Sequence, residues 1–141
     1  LAVWDEAGVH SHAGWPFDLA GRSFYAHGGE GYDQGMTILD ITDLATPFVV
    51  GHYESRDGIS IHNIEVRDGV AYIAYYIDGL RVVDLNDPAN PTEVAHYDTL
   101  PSRHEQELFG GAWGVRLEGD RVFVSDRQSG IFAFTVDLHS N

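Results

Sequence analysis

The feature that most limits what this chain can fold into is that it repeats. Gly35-Met36-Thr37-Ile38-Leu39-Asp40-Ile41-Thr42-Asp43 returns 44 positions on as Gly79-Leu80-Arg81-Val82-Val83-Asp84-Leu85-Asn86-Asp87, and the register holds through Pro47/Pro91 to His52-Tyr53 against His96-Tyr97. A second match carries residues 62–83 onto 113–134 without a gap, 51 positions on. The extra length falls in 100–110, a polar stretch with Pro101 that reads as an inserted loop. Gly8-Val9-His10-Ser11-His12 likewise matches Gly58-Ile59-Ser60-Ile61-His62. A period of about 40–50 residues is the signature of stacked supersecondary units.

Each unit reads as strands alone. Residues 61–67 alternate, Asp68-Gly69 is a two-residue hairpin signal, and 70–75 is rich in β-branched and aromatic residues. Asp78-Gly79 makes another turn, and 80–85 gives a third strand. Residues 86–91 cannot extend it, because proline lacks the ladder N–H and Asn/Asp favour turns; residues 92–97 are a fourth. A four-stranded antiparallel meander recurring at this spacing predicts an all-β fold of β-propeller blades. A β-sandwich with coincidentally similar hairpins is the alternative.

The register divides the chain into a stray outer strand of a preceding blade at 1–5, a blade at 8–54, a blade at 58–99 and a blade lacking its outer strand at 111–137. That is about three blades of an incomplete ring. Since a propeller closes with about four to eight blades, other blades of the same polypeptide or other subunits are expected as partners. Leu1 in place of Met, with no signal-peptide pattern beside it, fits a processed or partial chain.

The run from Gly79 to Val94, with its Asp87-Pro88-Ala89-Asn90-Pro91 turn, resembles the LVIVD repeat. Residues 35–53 are a looser copy with Leu44 where the first proline would stand, and 130–137 keeps only the strand. The resemblance covers most of the chain. It implies a propeller of the kind found in bacterial and archaeal extracytoplasmic and cell-surface proteins, and it carries over no catalytic residue.

Charge and composition narrow the chemistry. Eight basic residues, all arginine, stand against 22 acidic ones, for a net charge of −14, and there is neither lysine nor cysteine. Schiff-base catalysis, thiolate nucleophiles, disulfides and cysteine-ligated metals are excluded. So acidic a surface repels phosphate backbones, which argues against a nucleic-acid partner. No apolar run approaches the roughly 18 residues that span a bilayer. On the blade pattern many acidic residues fall in turns and loops, among them Asp40, Asp43, Asp57, Asp68, Asp78, Asp84, Asp87, Asp98, Glu105, Glu107 and Asp120, and are expected at a solvated rim.

Candidate site residues come from position. The loop entering the first strand of each blade lies at one channel mouth, where the repeat makes His12, His62 and Trp113 equivalent, with His10 close by. Converging imidazoles there offer a site for a transition metal at His12/His62. The other reading is a histidine whose ring hydrogen-bonds the next blade and fixes its angle. His104, Glu105 and Glu107 on the inserted loop read as a solvated acidic loop, with acid–base chemistry as the alternative. His52 and His96 suggest a packing or hydrogen-bonding role between blades. The Asp40/Asp43 and Asp84/Asp87 pairs resemble the start of a calcium loop but lack its glycine and later glutamate, so turn capping is expected. Gly28-Gly29-Glu30-Gly31 reads as a flexible hairpin tip. Trp15, Tyr32, Tyr75, Tyr76 and Phe109 are candidate interface anchors on exposed loops, or inter-blade packing.

With the repeat accounting for most residues and no complete catalytic set left over, the expected function is a non-catalytic binding or scaffold propeller in a larger extracytoplasmic assembly, with no cofactor. The alternative is a metal-dependent enzyme or redox accessory protein with a His-lined site at the channel mouth.

Overall fold

The structure, a computed structural model, describes residues 3–5, 8–101 and 108–136, and among these it holds strands and no helix. β1 (Ser11–Leu19), β2 (Arg22–Gly29), β3 (Met36–Asp40) and β4 (Phe48–Tyr53) form one antiparallel meander in chain order. β5 (Asn63–Arg67), β6 (Val70–Ala74), β7 (Leu80–Asp84) and β8 (Thr92–Tyr97) form a second. β9 (Ala112–Glu118), β10 (Arg121–Asp126) and β11 (Gly130–Thr135) make a third sheet of three strands. These are β-propeller blades, the last without an outer strand among the described residues.

Local chemistry accounts for the hairpins. Ala20 and Gly21 join β1 to β2 with φ of 51° and 78°, and Asp68 and Gly69 join β5 to β6 with φ of 52° and 74°. Two successive left-handed residues match the right-handed twist of the flanking strands. The repeat extends to irregularities: the pairing of third and fourth strands slips between Ile38 and Leu39 in the first blade and between Val82 and Val83, the equivalent pair, in the second. The turns between those strands are capped by aspartate. Asp84 Oδ1 accepts from Asn86 N at 2.8 Å and Asp87 Oδ1 from Ala89 N at 3.2 Å, as Asp40 does from Thr42 N and Asp43 from Ala45 N, both at 2.9 Å.

Side-chain alternation lets the middle blade bury both faces. Ala71 and Ile73 of β6 join Phe24, Ala26 and Ile38 of the first blade in one core, while Val70 and Ala74 join Val115, Leu117, Val122 and Val124 of the third blade in another. The innermost strands are tied by side chains reaching the neighbouring backbone. Asn63 Oδ1 accepts from Val115 N at 3.1 Å, Glu65 Oε2 accepts from Leu117 N at 2.9 Å, and Arg67 donates to the Gly119 carbonyl at 2.6 Å. Three alternate residues of β5 thus set the blade angle. Glu65, 5 % exposed, is also paired with Arg116.

Several expectations are corrected. Of the stray strand expected at 1–5, only Val3, Trp4 and Asp5 are described. Among the described residues no strand pairs with them, and Trp4 sets its ring edge against His27; the expected outer strand belongs to a blade that these residues do not include. Gly28 and Gly29 are the buried end of β2, not a hairpin tip. A β-carbon at Gly28 would stand 3.0 Å from Ile61 Cδ1, so glycine is what lets the second blade approach there. Asp78 and Asp40, placed on the solvated rim, are 1 % and 2 % exposed and are held by arginine, Asp78 by Arg56 and Arg81 and Asp40 by Arg22. His52 and His96 do not bridge blades: His52 bonds Thr37 and Glu54, and His96 bonds Glu93. Residues 102–107, with His104, Glu105 and Glu107, lie outside the described residues.

Candidate functional site

The first strands β1, β5 and β9 lie side by side, so the residues entering them gather at one end of the blade stack. Two of the three entries are bulged. In β1 the pairing with β2 runs Ser11↔Gly29 and then Ala13↔Gly28, leaving His12 unpaired; in β9 it runs Ala112↔Asp126 and then Gly114↔Ser125, leaving Trp113 unpaired. A bulge re-aims the extra residue's side chain. His62 immediately precedes β5, its N–H bonded to the Ala74 carbonyl at 3.0 Å.

These three side chains meet. The His12 and His62 rings lie 4.6 Å apart between centroids, and the His62 and Trp113 rings 4.0 Å apart at 33°. Glu30, the residue after β2, completes the group: His12 Nδ1 is 3.2 Å from its Oε2 and His62 Nε2 is 3.9 Å from its Oε1. The Tyr76 hydroxyl donates to the same Glu30 Oε1. The loop carrying Glu30 is pinned, with Glu30 N donating to the His10 carbonyl at 2.7 Å and Gly31 N to Ser60 Oγ at 3.1 Å. His10 itself is exposed and contributes backbone, its N–H donating to Gln34.

The His62 ring has a defined tautomer. Its Nδ1 faces the Trp113 carbonyl, which can only accept, so Nδ1 carries the hydrogen and Nε2 presents its lone pair to Glu30. Burial lowers the His62 pKa, helped by His12 and Arg127, against the opposing pull of the Trp113 carbonyl and of the Glu30 carboxylate. Burial, then the hydrogen bond to Glu30 and its charge, push the Tyr76 phenol far up, so it stays a donor. Arg127 lies over the Trp113 ring at 4.8 Å, and Phe109 sets its ring edge near Tyr76 at 5.2 Å.

Among the described residues, His12, Glu30 and His62 are the group of three metal-capable side chains, each offering an atom within 4.8 Å of the others. Sequence reasoning placed His12, His62 and Trp113 together and missed Glu30 and the part Tyr76 plays. The missing signal was hairpin arithmetic: counting back from the Ala20-Gly21 turn brings residue 30 beside 10–12. The interface candidates divide. Tyr32 and Phe109 are exposed, 73 % and 45 %, and Trp15 is half-buried against the core. Tyr75 and Tyr76, expected on exposed loops, are buried, because the turn after β6 folds inward with Tyr76 at φ 45° and closes through Tyr75 N to the Gly79 carbonyl at 2.8 Å.

A family model described as LVIVD repeat matches residues 31–55 and 60–99. Over those residues the chain is similar to the LVIVD repeat. The matched LVIVD segments cover the second half of the first blade and the whole of the second, so that His62 and Tyr76 fall inside them and His12, Glu30 and Trp113 outside. No curated protein matches the chain.

Proposed function

We propose that this chain is a non-catalytic binding and scaffold segment of a β-propeller that works in a larger extracytoplasmic assembly, its partners being further blades of the same polypeptide or other subunits. One observation carries the reading: β11 has no partner along its outer edge among the described residues, although β4 and β8 occupy that place in the other two blades. An open strand edge invites pairing with another strand, and Ile131, at the start of this edge, is 79 % exposed.

The interior supports a structural use of the polar groups. Asn63, Glu65, Asp78 and Asp126 bond neighbouring backbone or complementary side chains that hold turns and blades together. The resemblance to the LVIVD repeat supports an extracytoplasmic setting, and a net charge of −14 suits a basic partner or a salty medium that screens it.

The mass of the native assembly tests the proposal. A species larger than the 15.6 kDa chain, or a longer polypeptide carrying further blades, supports it. A native protein that is only a 15.6 kDa monomer, with no further blades or subunits, refutes it.

A further inference from the structure

The end of the blade stack holds two imidazoles and a carboxylate in a geometry with more order than packing requires. We propose that His12, Glu30 and His62 form a binding site for a divalent transition metal of the zinc class, with three protein ligands and a coordination position left for water or a ligand.

Spacing is the first support. A tetrahedral zinc ion takes nitrogen and oxygen ligands at about 2.0–2.2 Å, which sets neighbouring ligand atoms roughly 3.3 Å apart. The His12 Nδ1 to Glu30 Oε2 distance of 3.2 Å already has that value. His62 Nε2 lies 3.9 Å from the other carboxylate oxygen, Oε1, and one ligand atom from each of the three residues stands within 4.8 Å of the others. The atoms come from three different strand ends in two blades, so the site exists only when the blades are stacked.

The groups behind the ligands are the second support. A metal-binding histidine commonly donates its other ring N–H to a carbonyl or carboxylate, which fixes the ring and the tautomer, and a ligating carboxylate is itself hydrogen-bonded. Here the Trp113 carbonyl holds His62 Nδ1, and the Tyr76 hydroxyl holds Glu30. A histidine serving only as an inter-blade pin needs the first of these bonds but neither the free Nε2 aimed at a carboxylate nor a second imidazole beside it.

The donor set chooses the metal. Two imidazoles with one carboxylate suit zinc and its neighbours, whereas calcium and magnesium take oxygen ligands. His12 stands 35 % exposed, which gives the ion a way in, while His62 and Glu30 are more enclosed at 13 % and 21 %.

The full chain, stripped with chelator and titrated with Zn²⁺ alone by calorimetry and then with Co²⁺ by visible absorption, tests the site. Expected are one ion per chain and cobalt ligand-field bands of a low-coordinate nitrogen–oxygen site. His12→Ala and Glu30→Gln should each weaken Zn²⁺ binding by about 100-fold or more, Tyr76→Phe by about 10–100-fold, and His96→Ala on the exposed β8 should leave it unchanged. Circular dichroism of each variant confirms the β fold, and Glu30→Gln keeps the side-chain shape should His12→Ala fold poorly. No one-to-one uptake, or uptake that persists in both His12→Ala and Glu30→Gln, overturns the proposal. The result is separable from the assembly reading: a metal-binding monomer sinks the assembly alone, and a metal-free assembly sinks the site alone.

Discussion

Gly79 and Gly130 occupy the same place in the repeat, at the entry to the third strand of their blades, with φ of 75° and 94°. A β-carbon at Gly79 would overlap the Tyr97 carbonyl oxygen and lie 2.8 Å from Thr99 N, atoms at the end of the outer strand β8 and just beyond it. At Gly130 a β-carbon meets nothing within 4 Å. Gly35, the equivalent residue of the first blade, is crowded by the Tyr53 carbonyl of β4 in the same way. Alanine at either Gly79 or Gly130 takes on the strain of a positive φ, about 1–2 kcal/mol. Only Gly79→Ala adds overlap with backbone that cannot swing aside, about 1–3 kcal/mol more. The gain from a stiffer unfolded chain is common to both and cancels. Gly79→Ala should therefore cost roughly 2–5 kcal/mol against roughly 1–2 for Gly130→Ala, read as the shift in urea midpoint at unchanged m-value. Equal losses in the 15.6 kDa chain would refute the assignment of the crowding to an outer strand. In the native assembly Gly130→Ala should become as costly as Gly79→Ala, because a strand laid along β11 brings the same carbonyl over it.

Two further perturbations probe the ties between and within blades. Replacing Glu65 by alanine leaves the Leu117 N–H at a blade junction without its acceptor, and should destabilise by about 1–3 kcal/mol; a loss within about 0.5 kcal/mol of zero, the range of ordinary surface changes, would show that the junction does not depend on this bond. For Asp78, burial alone would raise the carboxyl pKa, but hydrogen bonds from Arg56 and Ser55 and the charges of Arg56 and Arg81 outweigh it and hold it below the ordinary 3.8. A depressed folded-state pKa contributes stability that is present above the unfolded value and lost as pH falls through the folded one. The urea midpoint should thus fall as pH drops from about 4 toward 2, and Asp78→Asn should flatten that limb; an unchanged slope in the variant would contradict the ion-pair account.

The blades and their boundaries were legible in the residues themselves. Alternation, the Asp68-Gly69 turn and the proline-bearing 86–91 segment act over a few neighbours, and the repeat multiplies each local signal. Asp84 and Asp87 could be read as turn caps for the same reason, since a carboxylate that bonds an N–H two residues on needs nothing from elsewhere. The burial of Asp78 and Tyr76 could not be read so, because a turn residue is polar and exposed by default and only the neighbouring blade and its arginines reverse that.

The candidate site divides along the same line. The sequence by itself determined that His12, His62 and Trp113 are equivalent, because equivalence is a property of the repeat. Only the tertiary structure decided that Glu30 and Tyr76 stand with them. Neither is equivalent to those three in the repeat, and 46 residues separate the two. What joins them to His12 and His62 is the slip that leaves His12 unpaired and the angle at which the first two blades stack, and both depend on packing between blades rather than on any run of neighbouring residues.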